Sequence, residues 1–343
     1  MRQVFMAPEE LRGIIKRLPE TRIGFLGDIC LDLYWYADMR RSVLSLETTH
    51  FPLPVVREEM SPGAGGNVVQ NIQALGVGAV YPLSVIGPDW RGGLLKDRMK
   101  AQGVPTDRLI LDDSRVTPCY CKPVRMGYQG IFEEDSRLDF ENTQVLSGNT
   151  EGKVIAALDS MAPLVDVLAV SDQFEHGVMT PNIRRHLAFL GGQGMTVVVD
   201  SRCHVSEYSR VILKPNQLEA LRCLDIRETE EEMTVEDFGP VARRIFSFSL
   251  RPVVITLGEA GALFYDGTDL THVPAKPVRG PLDIVGAGDT FLAAFTAALA
   301  AGAPGITAVA FANLASGVTV KKLRTTGTAT PQEITGWFEE KTV

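Results

Sequence analysis

The stretch LDIVGAGDTFLAAFTAALAAG, Leu282–Gly302, decides the reading of the chain. A glycine-rich turn, GAGD, runs straight into a long small-residue pattern of helical type. Gly286, Ala287 and Gly288 carry little side-chain bulk, so a bound group can approach their backbone N–H donors closely. At a helix N-terminus such amides and the helix dipole favour an anion, the dipole contributing typically about 0.3–1 kcal/mol. Asp289 stands at that terminus either as a cap or as a base.

Outward from this motif, strand-like and helix-like runs alternate. IGFLGDI (Ile23–Ile29), AVYPLSVIG (Ala79–Gly87), DVLAV (Asp166–Val170), MTVVVD (Met195–Asp200), RVILK (Arg210–Lys214) and PVVITLG (Pro252–Gly258) read as strands. VVQNIQALG (Val68–Gly76) and RGGLLKDRMKAQG (Arg91–Gly103) read as helices. The alternation predicts an α/β fold, a doubly wound and mostly parallel sheet with helices on both faces. Residues 32–60 and 114–141 break the rhythm with Pro, Arg, aromatics and period-2 pieces such as CYCKPVRM and QGIFEED. They are expected to meet as a small β lid over the mouth of a site, inserted into one domain that spans residues 1–343.

Composition bounds the rest. The 343 residues are 45% hydrophobic and 22% charged with a net charge of −8, which excludes a disordered or collagen-like chain and gives no general footprint for nucleic acid. A chain of this length buries about three quarters of its extended surface and needs no disulfide or metal staple. Cys30, Cys119, Cys121, Cys203 and Cys223 are scattered and are expected to be reduced thiols. The opening MRQVFMAPEELRGIIKRLPE reads as a short amphipathic helix rather than a leader, and no run approaches the roughly 20 apolar residues of a membrane span. A cytoplasmic protein with no membrane or nucleic-acid partner is expected.

Three further motifs carry oxygen and amide donors. SPGAGGNVVQNIQALG, Ser61–Gly76, is a second glycine-rich turn before a helix, with Asn67 at its start. GDICLD places Asp28 and Asp32 at the end of a strand, where open sheets meet their ligands. In KPNQLEA, Lys214–Ala220, Asn216 and Glu219 share a helical face, which suits either a water-clad Mg²⁺ or a helix cap with a solvated Glu.

The ordered set GDICLD, PGAGGN, NQLE, TLGEAG and DIVGAGD resembles the ribokinase-type sugar kinases, the pfkB family, over roughly residues 22–335. The strings LDLYWY, PLPVV, PGAGGN, RLDFE and FANLASG are similar to the heptose-phosphate kinase domain of lipopolysaccharide-precursor enzymes. The resemblance implies ATP-dependent phosphorylation of a hydroxyl on a sugar or sugar phosphate. It implies Asp289 as the base and Gly286, Ala287 and Gly288 as the anion hole. Asp28, Asp32, Gly63, Asn67 and Asp172 would hold sugar hydroxyls, and Asn216, Thr256, Gly258 and Asn313 would line the nucleotide groove. Asn216 and Glu219 would organise Mg²⁺ through water, a monovalent-cation requirement stays open, and a homodimer clasped through the lids fits the family. The chain contains no GxxxxGK[ST], consistent with a fold that uses no Walker loop.

Several positions depart from the family pattern. Ala64 replaces the second Gly of a GG pair, and Ile284 and Val285 replace small or hydroxylated residues before GAGD. SDQFEHG offers Glu175 and His176 where a Lys is expected, and DSRC, Asp200–Cys203, stands in place of DPK. A phosphorylated substrate needs cations, for which Arg40, Arg41, Lys122, Arg125, Arg137 and Arg202 are the candidates. The alternatives are a kinase of an unphosphorylated sugar or nucleoside and, from another class, a non-catalytic sugar or nucleotide sensor.

Overall fold

The strand Val167–Asp172 is buried at every position, and its alternate residues face different cores. Val167 and Ala169 join one apolar cluster with Ile23, Phe25 and Val198, while Leu168 and Val170 join a second with Leu26, Val197 and Val199. Period-2 burial on both faces is the signature of a parallel sheet covered on both sides. Helices Pro8–Arg17, Gly65–Ala74, Trp90–Ala101, Ala287–Ala300, Gly305–Thr319 and Pro331–Glu339 contribute to the first cluster. Helices Gly148–Met161, Pro181–Gly192, Gln217–Arg222 and Phe238–Ser249 contribute to the second. The computed structural model describes residues 1–226, 233–323 and 327–340.

The main sheet runs, edge to edge, Arg2–Gln3, Leu270–Val273, Ala262–Tyr265, Val253–Thr256, Ile212–Leu213, Thr196–Ser201, Val167–Asp172, Arg22–Gly27, Ala79–Ile86 and Leu109–Leu111. It is parallel except where Ala262–Tyr265 pairs antiparallel with both of its neighbours. The doubly wound α/β architecture is therefore present, with an antiparallel extension that the alternation of runs does not announce. The chain leaves Arg22–Gly27 for one side of the sheet and returns at Val167–Asp172 on the other, so the crevice between their carboxyl ends is the switch point of the topology.

The run read as one strand, Ile23–Ile29, divides at Asp28: Arg22–Gly27 lies in the main sheet and Ile29–Asp38 begins a second. In that second sheet Ile29–Asp38 pairs antiparallel with Val55–Ala64 and parallel with Cys119–Met126, which also carries Phe132–Glu134 and Leu138–Phe140. The stretches 32–60 and 114–141 thus converge on one sheet. Leu31, Leu33, Cys119 and Cys121 join the first apolar cluster, whereas Asp32, Tyr34, Tyr120 and Lys122 alternate with them and form a polar face. All five cysteines are free thiols. Among the described residues no helix is long and apolar enough to cross a membrane, and no group of three or more His, Cys, Asp or Glu is arranged to hold a metal ion directly.

Candidate active site

Gly286 takes φ +79°, the left-handed conformation that favours glycine, and caps the helix Ala287–Ala300. The turn returns the Ala287 amide to the Ile284 carbonyl at 3.2 Å. The Ala287 amide is thus engaged within the turn, whereas those of Gly286, Gly288 and Asp289 have no partner among the described residues. A Cβ added at Gly288 would meet nothing within 4 Å, so the space beside these amides is open. The helix behind them is anchored by small residues packed against Gly305–Thr319, and the Ser316 hydroxyl donates to the Ala287 carbonyl at 3.1 Å.

Asp289 opens partly to solvent on one side and packs into protein on the other. Burial, with Asp200 nearby, pushes its carboxyl up to about 7, against the opposing pull of Asn67, Lys214 and Arg202. Asn67 Nδ2 donates to Asp289 Oδ2 at 2.9 Å, so this fully buried amide orients the carboxylate. Asn71 Nδ2 donates to Asn67 Oδ1 at 3.2 Å, and Thr290 donates to Asn71 Oδ1 at 3.1 Å. Four side chains thereby lock helix Gly65–Ala74 to helix Ala287–Ala300.

The turn that launches the first of these helices is strained. Ala64 adopts φ +49°, ψ −129°, a region in which a Cβ is unfavourable and glycine is at ease. The substitution Ala64→Gly is expected to raise stability by about 1 kcal/mol in chemical denaturation, despite the added freedom of the unfolded chain. An unchanged or lower midpoint would show that this backbone is not strained.

Behind Asp289 lies a charged cluster that motif spacing does not single out. Lys214 is 2% exposed and its Nζ lies 3.1 Å from Asp200 Oδ2. Burial and the Asp200 charge push the Glu219 carboxyl up to about 7, with Lys214 opposing. Asp200 is the penultimate residue of the strand Thr196–Ser201 and Lys214 directly follows Ile212–Leu213, so both stand at carboxyl ends of the sheet. That position is the signal by which they could have been found. Asn216 and Glu219 form a reciprocal capping box: Asn216 Oδ1 accepts from the Glu219 amide at 2.9 Å and Glu219 Oε2 from the Asn216 amide at 2.8 Å. The capping alternative is realised, with Glu219 half-buried in the cluster rather than freely solvated.

The nucleotide-groove candidates are partly assembled. Thr256 pairs with Asn216 across a parallel bridge, and Gly258 takes φ +58° in the turn that follows. Asn313 is 8% exposed and its amide donates to the Val273 carbonyl at 2.8 Å, which leaves its oxygen and second N–H for a ligand.

Two expected sugar ligands are engaged elsewhere. Asp28 accepts from the backbone amides of Gln173, Phe174 and Val178 at 2.7–3.0 Å and fastens the loop 173–178 into the switch-point crevice. A Cβ at Gly177 would lie 2.3 Å from Asp28 Oδ1, so the loop closes on the carboxylate without room to spare. Burial and Asp172 push Asp28 up to about 6. Asp172 Oδ2 accepts from Ser201, Tyr208 and His204 at 2.8–3.0 Å, and the residue is 1% exposed. Asp28 therefore holds structure at the crevice through both of its oxygens, and Asp172 does so through Oδ2, while Asp172 Oδ1 is buried with no hydrogen-bond partner among the described residues. Asp32 lies on the second sheet, is 6% exposed, and its Oδ1 is likewise buried with no hydrogen-bond partner among the described residues. Gly63 lies against it, since a Cβ there would stand 2.7 Å from the carboxylate.

Most of the candidate cations already have partners. Arg40 pairs with Asp38, Arg125 with Asp135, and Arg137 with Asp139 through two bonds of 2.5 and 2.6 Å. Lys122 donates to the Tyr34 hydroxyl at 2.8 Å. Arg41 is exposed near Asp38. Arg202 is exposed without an ion-pair partner among the described residues, and is near enough to Asp289, Glu219 and Tyr120 to act on each electrostatically. His176 lends its carbonyl to Arg115, a loop contact and not a catalytic one.

A doubly wound sheet whose edge presents a carboxylate beside unpaired helix-terminal amides has the architecture of a phosphoryl-transfer site. The sequence pattern of pfkB family carbohydrate kinases matches residues 55–333, and the chain belongs to that family. Across 96% of its length it is 34% identical to the bifunctional protein HldE of Pelobacter propionicus and 31% identical to that of Geotalea uraniireducens, and it spans 65% of the length of each. Arabidopsis thaliana ribokinase complexed with ribose and ATP superposes with a TM-score of 0.68 at 18% identity, over 94% of this chain and 99% of that one. Escherichia coli phosphofructokinase-2 in complex with potassium gives 0.71 at 20%, over 93% and 98%. At such identities the structural likeness is one of fold.

Proposed function

We propose that the protein transfers the γ-phosphoryl group of ATP to a hydroxyl of a phosphorylated sugar, of heptose-phosphate type, with Asp289 as the base. The observation that carries the chemistry is the Asp289 carboxyl, tuned to about 7 and oriented by Asn67, beside the unpaired amides of Gly286, Gly288 and itself. The acceptor hydroxyl gives its proton to the carboxylate as its oxygen bonds to phosphorus, and the bond to the ADP oxygen breaks with its electron pair. The amides offset charge developing on the phosphoryl oxygens, and a base near its working pH contributes about 10²–10⁴ in rate. Asp32, with Gly63 beside it, supplies acceptors for sugar hydroxyls.

Asp200, Glu219 and Asp289 outnumber the buried Lys214, a charge balance that suits a divalent cation. Glu219 and Asn216 would hold Mg²⁺ through water, and the ion would neutralise charge on the phosphates. Thr256, Gly258 and the Asn313 oxygen would line the nucleotide groove. A homodimer clasped through the second sheets is part of the same reading, supported by exposed apolar residues Val55, Val56, Phe132 and Leu138 on its outer strands. A cytoplasmic location and a stimulating monovalent cation complete it.

Arg202 supports a phosphorylated acceptor, because its charge stands near the base and is not neutralised by an ion pair among the described residues. The pairing of Arg40, Arg125 and Arg137 within the chain favours the second reading, a neutral sugar or nucleoside. A screen of ATP turnover over phosphorylated and free sugars, with and without K⁺, decides between them. With a phosphosugar accepted, Arg202→Gln is expected to raise its KM about 10- to 100-fold, the loss of a charge-assisted contact, and to leave KM for any free sugar unchanged. Equal KM changes for both classes would remove Arg202 from the substrate phosphate.

A further inference from the structure

We propose that Lys122 is a positioning residue of the sugar pocket: its ammonium, tethered to the Tyr34 hydroxyl, fixes the Asp32 carboxylate as an acceptor for substrate hydroxyls. This rests on Asp32 as a sugar ligand, and the experiment below separates the two. Asp32 Oδ1 is buried without a donor, an arrangement that penalises a charged carboxylate strongly. Lys122 is 9% exposed, and its Nζ stands 4.0 Å from that oxygen. At that separation the charges attract, yet the oxygen keeps its lone pairs free, and a bound hydroxyl would be the missing donor.

The placement follows from strand register. Asp32 pairs with Tyr120 and Tyr34 with Lys122, so Lys122 sits diagonally from Asp32 on the same face. Its bond to Tyr34 at 2.8 Å, with Nζ 4.6 Å from that ring's centroid, holds the ammonium back from direct contact with Asp32. Gly63 on the third strand closes the other side. Together these contacts leave Asp32 little freedom except toward the ligand.

The groups around Asp32 leave Lys122 as its main counter-charge. Burial pushes the Asp32 carboxyl up, Lys122 and then Arg137 oppose this, and Glu134 adds to it. Arg137 is already bound to Asp139 by two hydrogen bonds. Cys30 on the same strand and Cys119 on the next are pushed up by burial, and Tyr120 is pushed up to about 12, so all three stay neutral near pH 7. Ser61, opposite Asp32 on Val55–Ala64, does not titrate. Burial works against the Lys122 charge too, but Asp32 and Tyr34 more than offset it.

The test compares Lys122→Met and Lys122→Arg with the parent enzyme in steady-state kinetics from pH 5.5 to 9, on an acceptor found in the screen and, where both are turned over, on a free sugar. Lys122→Met is expected to raise sugar KM about tenfold or more at pH 7, with KM for ATP unchanged and kcat within a few-fold. Sugar KM should fall back toward the parent value as pH rises, because Asp32, now harder to ionise, recovers its charge. Lys122→Arg should restore most of the affinity. A KM rise that does not vary with pH, an unchanged KM, or a rise confined to phosphorylated acceptors would overturn the proposal, the last by making Lys122 a phosphate ligand. Lys122→Gln, which keeps a donor for Tyr34, reads the same pH limb if the methionine variant does not fold. Failure of the sugar-pocket reading looks different: Asp32→Asn would then leave sugar KM untouched at every pH.

Discussion

Replacement of Asp289 by Asn is expected to lower kcat by about 10²–10⁴ or more while leaving ATP affinity, read by calorimetry, within a few-fold. Asn keeps the volume and an acceptor for the Asn67 amide but cannot take a proton, so the loss isolates base catalysis from packing. In the parent enzyme kcat/KM should climb between pH 6 and 8, because the carboxyl ionises near 7 and not near 4. The same property makes the residue a liability for the fold. The native carboxyl keeps its proton up to about pH 7, whereas the unfolded chain releases it near 4. Stability therefore falls as pH rises between those limits and levels off above them. Asp289→Asn has nothing to titrate there and is expected to be more stable than the parent at pH 8, by on the order of 2–4 kcal/mol. Unimpaired turnover would remove Asp289 as the base, and lower stability at pH 8 would mean the carboxylate is welcome where it sits.

Loss of Lys214 is expected to be the most damaging single change to the cluster. Its ammonium is 2% exposed and lies among Asp200, Glu219 and Asp289. Lys214→Met deletes the buried cation and leaves the carboxylates uncompensated, a situation that typically costs about 3–5 kcal/mol. Proton uptake by Glu219 and Asp289, both near 7 already, relieves part of that cost in acid. The deficit relative to the parent should thus be smaller at pH 6 than at pH 8 in denaturant titrations, and the rising limb of kcat/KM should move to higher pH. A variant equally destabilised at both pH values would show that Lys214 acts through packing on Phe291, over whose ring its ammonium lies, and not through charge.

Both expectations turn on neighbours that the sequence does not reveal. The α/β architecture is legible because burial of a covered parallel sheet writes itself into short apolar runs such as VVITLG, and because GAGD joins a turn to a helix within a few residues. The convergence of 32–60 and 114–141 is legible for the same reason, strand character interrupting a helical rhythm. Local chemistry is less so. Asp28 and Asp172 stand where ligands meet open sheets, yet the backbone of loop 173–178 occupies both oxygens of the first and the Ser201–His204–Tyr208 group occupies Oδ2 of the second. Such capture depends on the direction of loop amides, which residue types do not encode. The turn folds the Ala287 amide back onto Ile284, again a matter of dihedral angles. Asp200 and Lys214 meet only because their strands are neighbours in the sheet.

The clasp between Asn67 and Asp289 joins positions 222 residues apart, one from a helix laid down before the switch point and one from a helix laid down after nearly the whole sheet. Chain closure over that span has an entropic cost that nothing local repays. The reactive geometry is accordingly a late product of assembly: a nascent or partly melted molecule can be rich in helix and strand and still possess no centre for chemistry, so competence reports completion of the fold rather than its onset.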